Sequence, residues 1–227
     1  MFPCANGNLE DVWKIHNNPI PDQADENHRR RASLWFAQQC LGFAQGLQII
    51  HSCENDSPGI PIGEKTVAWY GDLRPEKILW FRDFDHQAQG YSLGVLKISM
   101  SLGTRNRSSP VFSSGPYGPL EHDINMSPSI STASSIWTLA CILLEFVTWF
   151  LEGGQGVEKF ENARVEENDR KLPAFFSDVE ACDERGILKT FARIKKSVVH
   201  VSKDSSNIQY FHHLIVRLGR LATRLAI

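Results

Sequence analysis

Hydrophobic positions along this chain fall at helical spacing over long stretches, and only briefly at the spacing of strands. Leu9, Val12 and Trp13 mark a short helix over Leu9 to His16, which Asn17-Asn18-Pro19-Ile20-Pro21-Asp22 ends. A strong amphipathic helix is expected from about His28 to Ser52. Leu34, Trp35, Ala37, Leu41, Ala44, Gln45 and Gln48 fall near one face, and Phe36, Cys40, Phe43 and Leu47 widen the stripe. Cys53 to Lys65 is rich in turn residues. The short apolar runs Thr66 to Tyr70, Ile78 to Phe81 and Val95 to Ile98 suit small strands flanking loops. Arg105 to Ser129 holds clustered Ser, Pro and Gly without periodicity and reads as a long loop.

Ile136 to Leu151 is apolar almost all round, the pattern of a helix buried in the middle of a domain. Glu152-Gly153-Gly154-Gln155-Gly156 stops it, because glycine takes the positive-φ positions of a helix end at little cost. Further helices are expected over about Val157 to Asn168, Ile187 to Val201 and Ile208 to Leu225, and Met1 to Asn8 reads as turn-like. The pattern predicts a mostly α fold with a small β ribbon beside a polar loop, built as a single domain over residues 1–227.

Composition narrows the function classes. A net charge of -2 offers no basic field for nucleic acid, and the Arg29-Arg30-Arg31 triplet is offset by Asp25 and Glu26. The 5 cysteines are scattered and form no C-x-x-C pair, so neither a disulfide framework nor a zinc knuckle is indicated. The histidines lack ligand spacing, since His212 and His213 are adjacent and diverge on a helix. The start lacks the basic and apolar regions of a signal peptide. Ile136 to Leu151 is shorter than the roughly 20 residues a bilayer span requires, and Glu145 interrupts it. No nucleic-acid or membrane partner is expected, and the setting is intracellular, cytoplasmic or nuclear.

The stretch that bears on chemistry is Tyr70-Gly71-Asp72-Leu73-Arg74-Pro75-Glu76-Lys77-Ile78-Leu79-Trp80-Phe81. It resembles the catalytic loop of eukaryotic protein kinases, and in particular the H-G-D-L-K-P-E-N-I-L-W-F loop of kinase-like domains common in filamentous fungi. Those domains also carry a D-I-W-S-L-G-C-x-x-L-E-F-x-T-W helix. Here Ser135-Ile136-Trp137-Thr138-Leu139-Ala140-Cys141-Ile142-Leu143-Leu144-Glu145-Phe146-Val147-Thr148-Trp149 is similar to it. Phe2-Pro3 to Trp13 resembles the hinge and the helix after it. The likeness covers most of the chain and is weakest after about Pro173. It implies the C-terminal lobe of a kinase-like fold, with the N-lobe absent: no Gly-rich phosphate loop, strand lysine or helix glutamate precedes Met1.

By that resemblance Asp72 stands at the proton-accepting position, and Arg74 replaces the lysine that steadies the transferring phosphate. Lys77 replaces the asparagine that holds magnesium, and Tyr70 replaces the loop histidine. An ammonium donates no lone pair and repels the cation. Two unit charges interact by roughly 4 kcal/mol at about 4 Å and an effective dielectric of about 20, and a divalent ion roughly doubles that. After Leu96-Lys97-Ile98, where the DFG aspartate is expected, stands Met100, a poor ligand for a hard cation. Ser135 replaces the helix aspartate that braces the loop. Pro119-Leu120-Glu121 resembles a modified A-P-E whose glutamate pairs with a late arginine, with Arg217, Arg220 and Arg224 as candidates.

The resemblance therefore implies a pseudokinase that acts as a binding or regulatory module toward a protein partner, with no cofactor expected. Asp72 is then an inherited loop residue that hydrogen-bonds the backbone and Arg74 is vestigial beside it, while Lys77 is either an anion-holding group at a nucleotide phosphate or a lysine that is solvated or paired with Asp72. The alternative is a serine/threonine kinase using ATP and magnesium, its N-lobe supplied elsewhere; a further alternative is a truncated fragment without a stable fold. Ser108, Ser109, Ser113 and Ser114 lie where an activation segment would be phosphorylated, near Arg105 and Arg107. Polar loop filler is the preferred account of them.

Overall fold

The computed structural model describes residues 5–15, 20, 23–52, 73–81, 95–98, 115–118, 132–167, 172–182, 185–186 and 188–204. Among them the chain is mostly helical, with two small antiparallel sheets. In order come β1 (Gly7–Asn8), α1 (Leu9–Ile15), α2 (Glu26–Ser52), a 3-10 turn (Pro75–Lys77), β2 (Ile78–Phe81) and β3 (Val95–Ile98). A second 3-10 turn (Gly115–Tyr117) follows, then α3 (Thr132–Glu166), β4 (Phe176–Cys182), β5 (Leu188–Ile194) and α4 (Lys196–Asp204).

The first strand and helix are joined by reciprocal capping. The Asn8 N–H donates to Asp11 Oδ2 at 2.9 Å, and the Asp11 N–H donates to Asn8 Oδ1 at 3.0 Å. Two of the orphan donors at the start of α1 are thereby satisfied. A Cβ at Gly7 would lie 2.9 Å from Asp11 Oδ2, so a larger residue here would push the capping carboxylate aside. Asp25 caps α2 in the same way, accepting the His28 N–H at 2.6 Å.

The strand Gly7–Asn8 was expected to be a turn. It instead pairs with β2, Gly7 opposite Trp80, and the Asn6 N–H donates to the Trp80 carbonyl at 2.8 Å. Helical or alternating side-chain pattern is invisible over two residues, so backbone pairing alone makes this strand. β2 also pairs with β3, Ile78 opposite Ile98 through Phe81 opposite Val95. Along β2, Ile78 and Trp80 are buried and Leu79 and Phe81 half-buried, the period-two alternation of a sheet with one face on the core.

The main core is α2 against the first half of α3, closed by α1 and β2. On α2 the buried face is Ala32, Phe36, Cys40, Phe43, Leu47 and Ile50. This corrects the expected stripe. Leu34 and Leu41 are 55% and 47% exposed, because the run Phe36, Cys40, Phe43, Leu47, Ile50 forms the tighter three-and-four ridge and brings the aromatic rings inward. Phe36 packs on Phe146 and Phe150 with centroids 4.6 and 4.5 Å apart, and Phe146 stacks on Trp149 at 5.8 Å. Phe146 and Trp149 are fully buried, as expected of a helix apolar on all sides.

The two helices expected on either side of the glycines are present, and they run as the two halves of α3 across a break. Gly153 has φ 73 and ψ -170, which breaks the helix and redirects the chain, after which helical geometry resumes to Glu166. The second half builds a satellite core of Cys141, Phe160, Phe175 and Val198. The helix expected over Ile187 to Val201 is also corrected. Residues 188–194 are a strand paired along its whole length with β4, Phe176 opposite Ile194 through Cys182 opposite Leu188, and helix begins only at Lys196. Continuous ladder pairing with a preceding strand overrode a weak local helical preference. The expected elements Thr66 to Tyr70 and Ile208 to Leu225, and the loop Arg105 to Ser129 apart from its described turn, lie outside the described residues.

Truncating a ring at the α2–α3 contact should be costly, because Phe146 is fully buried against Phe36, Phe43 and Trp149. Phe146→Ala is expected to lower unfolding free energy by about 3–5 kcal/mol, measured by urea denaturation. Leu34→Ala on the exposed face of the same helix should change it by no more than about 0.5 kcal/mol.

Candidate functional site

The segment Leu73–Phe81 is held as a rigid turn feeding a strand. Leu73 and Pro75 are buried, and Arg74 has extended backbone at φ -148 and ψ 160 just before the 3-10 turn. Proline at the first position presets the turn, since its missing N–H would have no partner there. The Lys77 N–H donates to the Arg74 carbonyl at 2.9 Å, and the Ile78 N–H donates to the Pro75 carbonyl. Helix α1 and strand β1 pack against this turn. Arg74 and Lys77 therefore flank one short turn, both half-buried, with Glu76 between them exposed.

Asp72 lies outside the described residues, as do Tyr70, Met100, Glu121, Arg217, Arg220 and Arg224 and the serines of the central loop. Ser135 is described and buried near the start of α3. The structure thus brings Arg74 and Lys77 together and leaves their relation to Asp72 outside its scope. Lys77 cannot itself serve as a magnesium ligand: it brings a positive charge, and an ammonium has no lone pair to offer. Among the described residues no group of three or more His, Cys, Asp or Glu gathers as a metal ligand set.

A second polar constellation sits inside the fold and was only half visible beforehand. Glu145, in the apolar half of α3, pairs with Arg164 beyond the kink, and both are buried. Tyr117, from the second 3-10 turn, donates its hydroxyl to Glu145 Oε2 at 2.7 Å. Thr138 Oγ1 donates to the Tyr117 carbonyl at 3.2 Å, fixing the same turn through its backbone. The Arg164 Nε donates to the Pro173 carbonyl at 3.0 Å, and its guanidinium lies 4.1 Å from the centroids of both Phe160 and Phe175. Burial pushes the Glu145 carboxyl upward, opposed by the guanidinium and the tyrosine hydroxyl. Burial and the facing carboxylate push the Tyr117 phenol up as well, so it remains a neutral donor.

Lys195 closes the constellation. Its buried Nζ donates to the Arg164 carbonyl at 2.6 Å and to the Leu172 carbonyl at 3.0 Å, tying the end of α3 to the hairpin base. A cation at a helix C-terminus satisfies carbonyls that have no partner within the helix. Burial and the nearby Arg164 charge lower its affinity for the proton. Glu167 then caps α4, accepting the Lys196 and Ser197 N–H groups at 2.7 and 2.6 Å. The Glu145 interruption of an apolar helix was the one sequence signal for this network. Tyr117, Arg164 and Lys195 carried none, because each reaches its partner across 19 or more residues of chain.

Among the described residues α3 is also the one helix long and apolar enough to cross a bilayer, but 67% of its most apolar window is buried within the fold. The kink and the Glu145–Arg164 pair mark it as a core helix. No family model matches the chain, and neither the curated proteins nor the solved structures contain a match.

Removing Glu145 alone strands a guanidinium in the satellite core. Glu145→Leu is expected to cost about 3–5 kcal/mol, and adding Arg164→Met should restore most of the loss, both read by urea denaturation. The cap of α4 should depend on pH. Its slight burial acts upward, but the N–H groups of Ser197 and Lys196 outweigh this and hold the Glu167 carboxyl below its ordinary 4.5. A carboxyl depressed in the folded state stabilises fully above its ordinary value and loses that contribution as pH falls through its folded value. Hydrogen exchange at the Lys196 and Ser197 amides should accelerate on acidification beyond the intrinsic trend below about pH 4.5, and Glu167→Gln should remove that dependence.

Proposed function

We propose that this chain is a kinase-like pseudoenzyme, a binding or regulatory module for a protein partner that works without phosphoryl transfer. The reading rests on Lys77. By resemblance it occupies the magnesium-holding position of a kinase catalytic loop, and it sits half-buried at the end of a proline-led turn with Arg74 at the other end. The positive charge at Lys77 opposes a divalent ion there. Met100 at the expected DFG aspartate points the same way.

The order of elements supports the kinase-like part of the proposal. A short helix, a long helix, a tight turn, the antiparallel pair β2–β3 and a buried central helix follow in the sequence that a kinase C-terminal lobe uses. The Ser135 to Trp149 stretch that resembles the family's central helix lies within α3. The role proposed requires no cofactor, an intracellular setting, cytoplasmic or nuclear, and no nucleic-acid or membrane partner.

A serine/threonine kinase is the competing reading, and what favours it is the retention of Asp72 with a cation at Arg74. The two part at a transfer assay. Incubation with labelled ATP and either magnesium or manganese, using a generic basic protein as acceptor, is expected to yield no labelled product. Label transfer that disappears in Asp72→Ala would establish the kinase and overturn the proposal. Lys77→Asn on its own is expected to leave transfer undetectable, because Met100 remains.

A further inference from the structure

Helix α2 turns one face to the core and leaves the other in water, and the outer face lacks the chemistry of ordinary surface. From Ala32 to Ser52 the helix carries no Asp, Glu, Lys or Arg. Solvent-facing helix surfaces are normally laced with charge, and depletion of charge is the compositional mark of a surface that another molecule covers. Leu34, Gln38, Leu41, Gly42, Gln45 and Ile49 are all exposed. By the periodicity of an α-helix they lie within an arc of roughly 100°. Ile49, 62% exposed, is among the most open of the large apolar side chains.

Gly42 sits in the middle of this face. A Cβ built there meets nothing within 4 Å, so no packing inside the chain calls for glycine at a position where it weakens the helix relative to alanine. The order of side chains on either side of it is self-complementary. Outward from the point between Leu41 and Gly42, the face runs Leu41, Gln38, Leu34 in one direction and Gly42, Gln45, Ile49 in the other, at matched steps. A two-fold axis through that point sets Leu41 against the gap at Gly42 of a second copy, Gln38 against Gln45 and Leu34 against Ile49, each contact occurring twice. A carboxamide offers both a donor and an acceptor, so the two glutamines satisfy each other. The same axis brings the exposed Arg30 and Arg31 of each copy beside the last turn of the other α2. The carbonyl end of a helix carries partial negative charge there.

We propose that the outer face of α2 is a homodimer interface, in which two copies of the chain pack their α2 helices antiparallel about the point between Leu41 and Gly42. The contact goes beyond the pseudoenzyme reading and does not depend on it, since the turn at Arg74 and Lys77 supplies none of its residues. A second copy is selected over a membrane because a helix lying on lipid carries cations along the flanks of its apolar face, and α2 has no Lys or Arg after Arg31. A strongly charged partner would find nothing to pair with along the same stretch. From Leu34 to Ile49 the face spans about 22 Å. That is short for a permanent assembly, so the dimer is a transient one. On dilution the chain is monomeric and Leu34 is ordinary surface.

Sedimentation equilibrium of the full chain provides the test. The mass should rise from 25.6 kDa toward twice that value by about 100 μM, where a dimer of micromolar affinity is nearly complete. L41E places two carboxylates at the axis and should hold the chain at the monomer mass, with an unchanged far-UV spectrum because Leu41 is exposed. G42L fills the gap with a better helix former, so it should raise the melting temperature while weakening the dimer about tenfold. Two further variants read the register. Q38E/Q45K sets a carboxylate against an ammonium across the antiparallel contact and should remain dimeric, whereas Q38E/Q45E gathers four carboxylates and should be monomeric. The proposal is overturned if the wild-type mass stays at 25.6 kDa at about 100 μM, if L41E leaves the dimer intact, or if Q38E/Q45K dissociates as Q38E/Q45E does. Co-sedimentation with phosphatidylcholine vesicles that L41E abolishes would make a lipid surface the occupant, which also overturns it.

Discussion

A single buried carboxylate organises the second half of this molecule. Helix α3 is otherwise apolar where it crosses the core, so Glu145 enters a medium that strongly disfavours its charge. It is tolerated because Arg164 returns beyond the Gly153 kink to meet it and Tyr117 donates from a separate turn. The pair therefore requires the kink: a straight helix would carry Arg164 about five turns away along its axis, at 1.5 Å per residue, and the two could never touch. From Arg164 the connections run on to Pro173, and through Lys195 to Leu172 and the hairpin. Breaking the ion pair would loosen four separate elements together.

The candidate turn belongs to the other half of the fold, and its physics differs. Leu73, Pro75, Ile78 and Trp80 are anchored in the main core, so the backbone of the turn is set by burial and by the fixed φ of proline. Under the proposed reading the scaffold is retained for recognition, and the charge at Lys77 excludes the ion.

How far the chain could be read in advance depended on the range of the forces involved. Helices α1 and α2 and the strands β2 and β3 follow from local periodicity, and their bounds agree closely with it. The buried face of α2 was misjudged by a rotation of the stripe, since Leu34 and Leu41 look as apolar as Phe36 and Phe43 until α3 supplies rings for the latter to meet. The hairpin was misread because residues 188–194 contain lysine, threonine and alanine in a mixture that suits either state, and the partner strand decides. The break at Gly153 was legible from the glycines, but the direction the second helical stretch takes was not, because it depends on where Arg164 must go. The network around Glu145 was invisible for the same reason: its members are joined only by the tertiary fold. At the candidate turn, residue identities gave the chemistry, and the structure added that Arg74 and Lys77 flank one rigid bend.

The account stands on the claim that the charge at Lys77 denies the loop its divalent ion. Isothermal titration of the full chain with ATP, with and without magnesium, addresses that claim directly. The account predicts that magnesium adds nothing to whatever nucleotide affinity exists. A magnesium-dependent gain of tenfold or more, about 1.4 kcal/mol, that Asp72→Ala abolishes would contradict it.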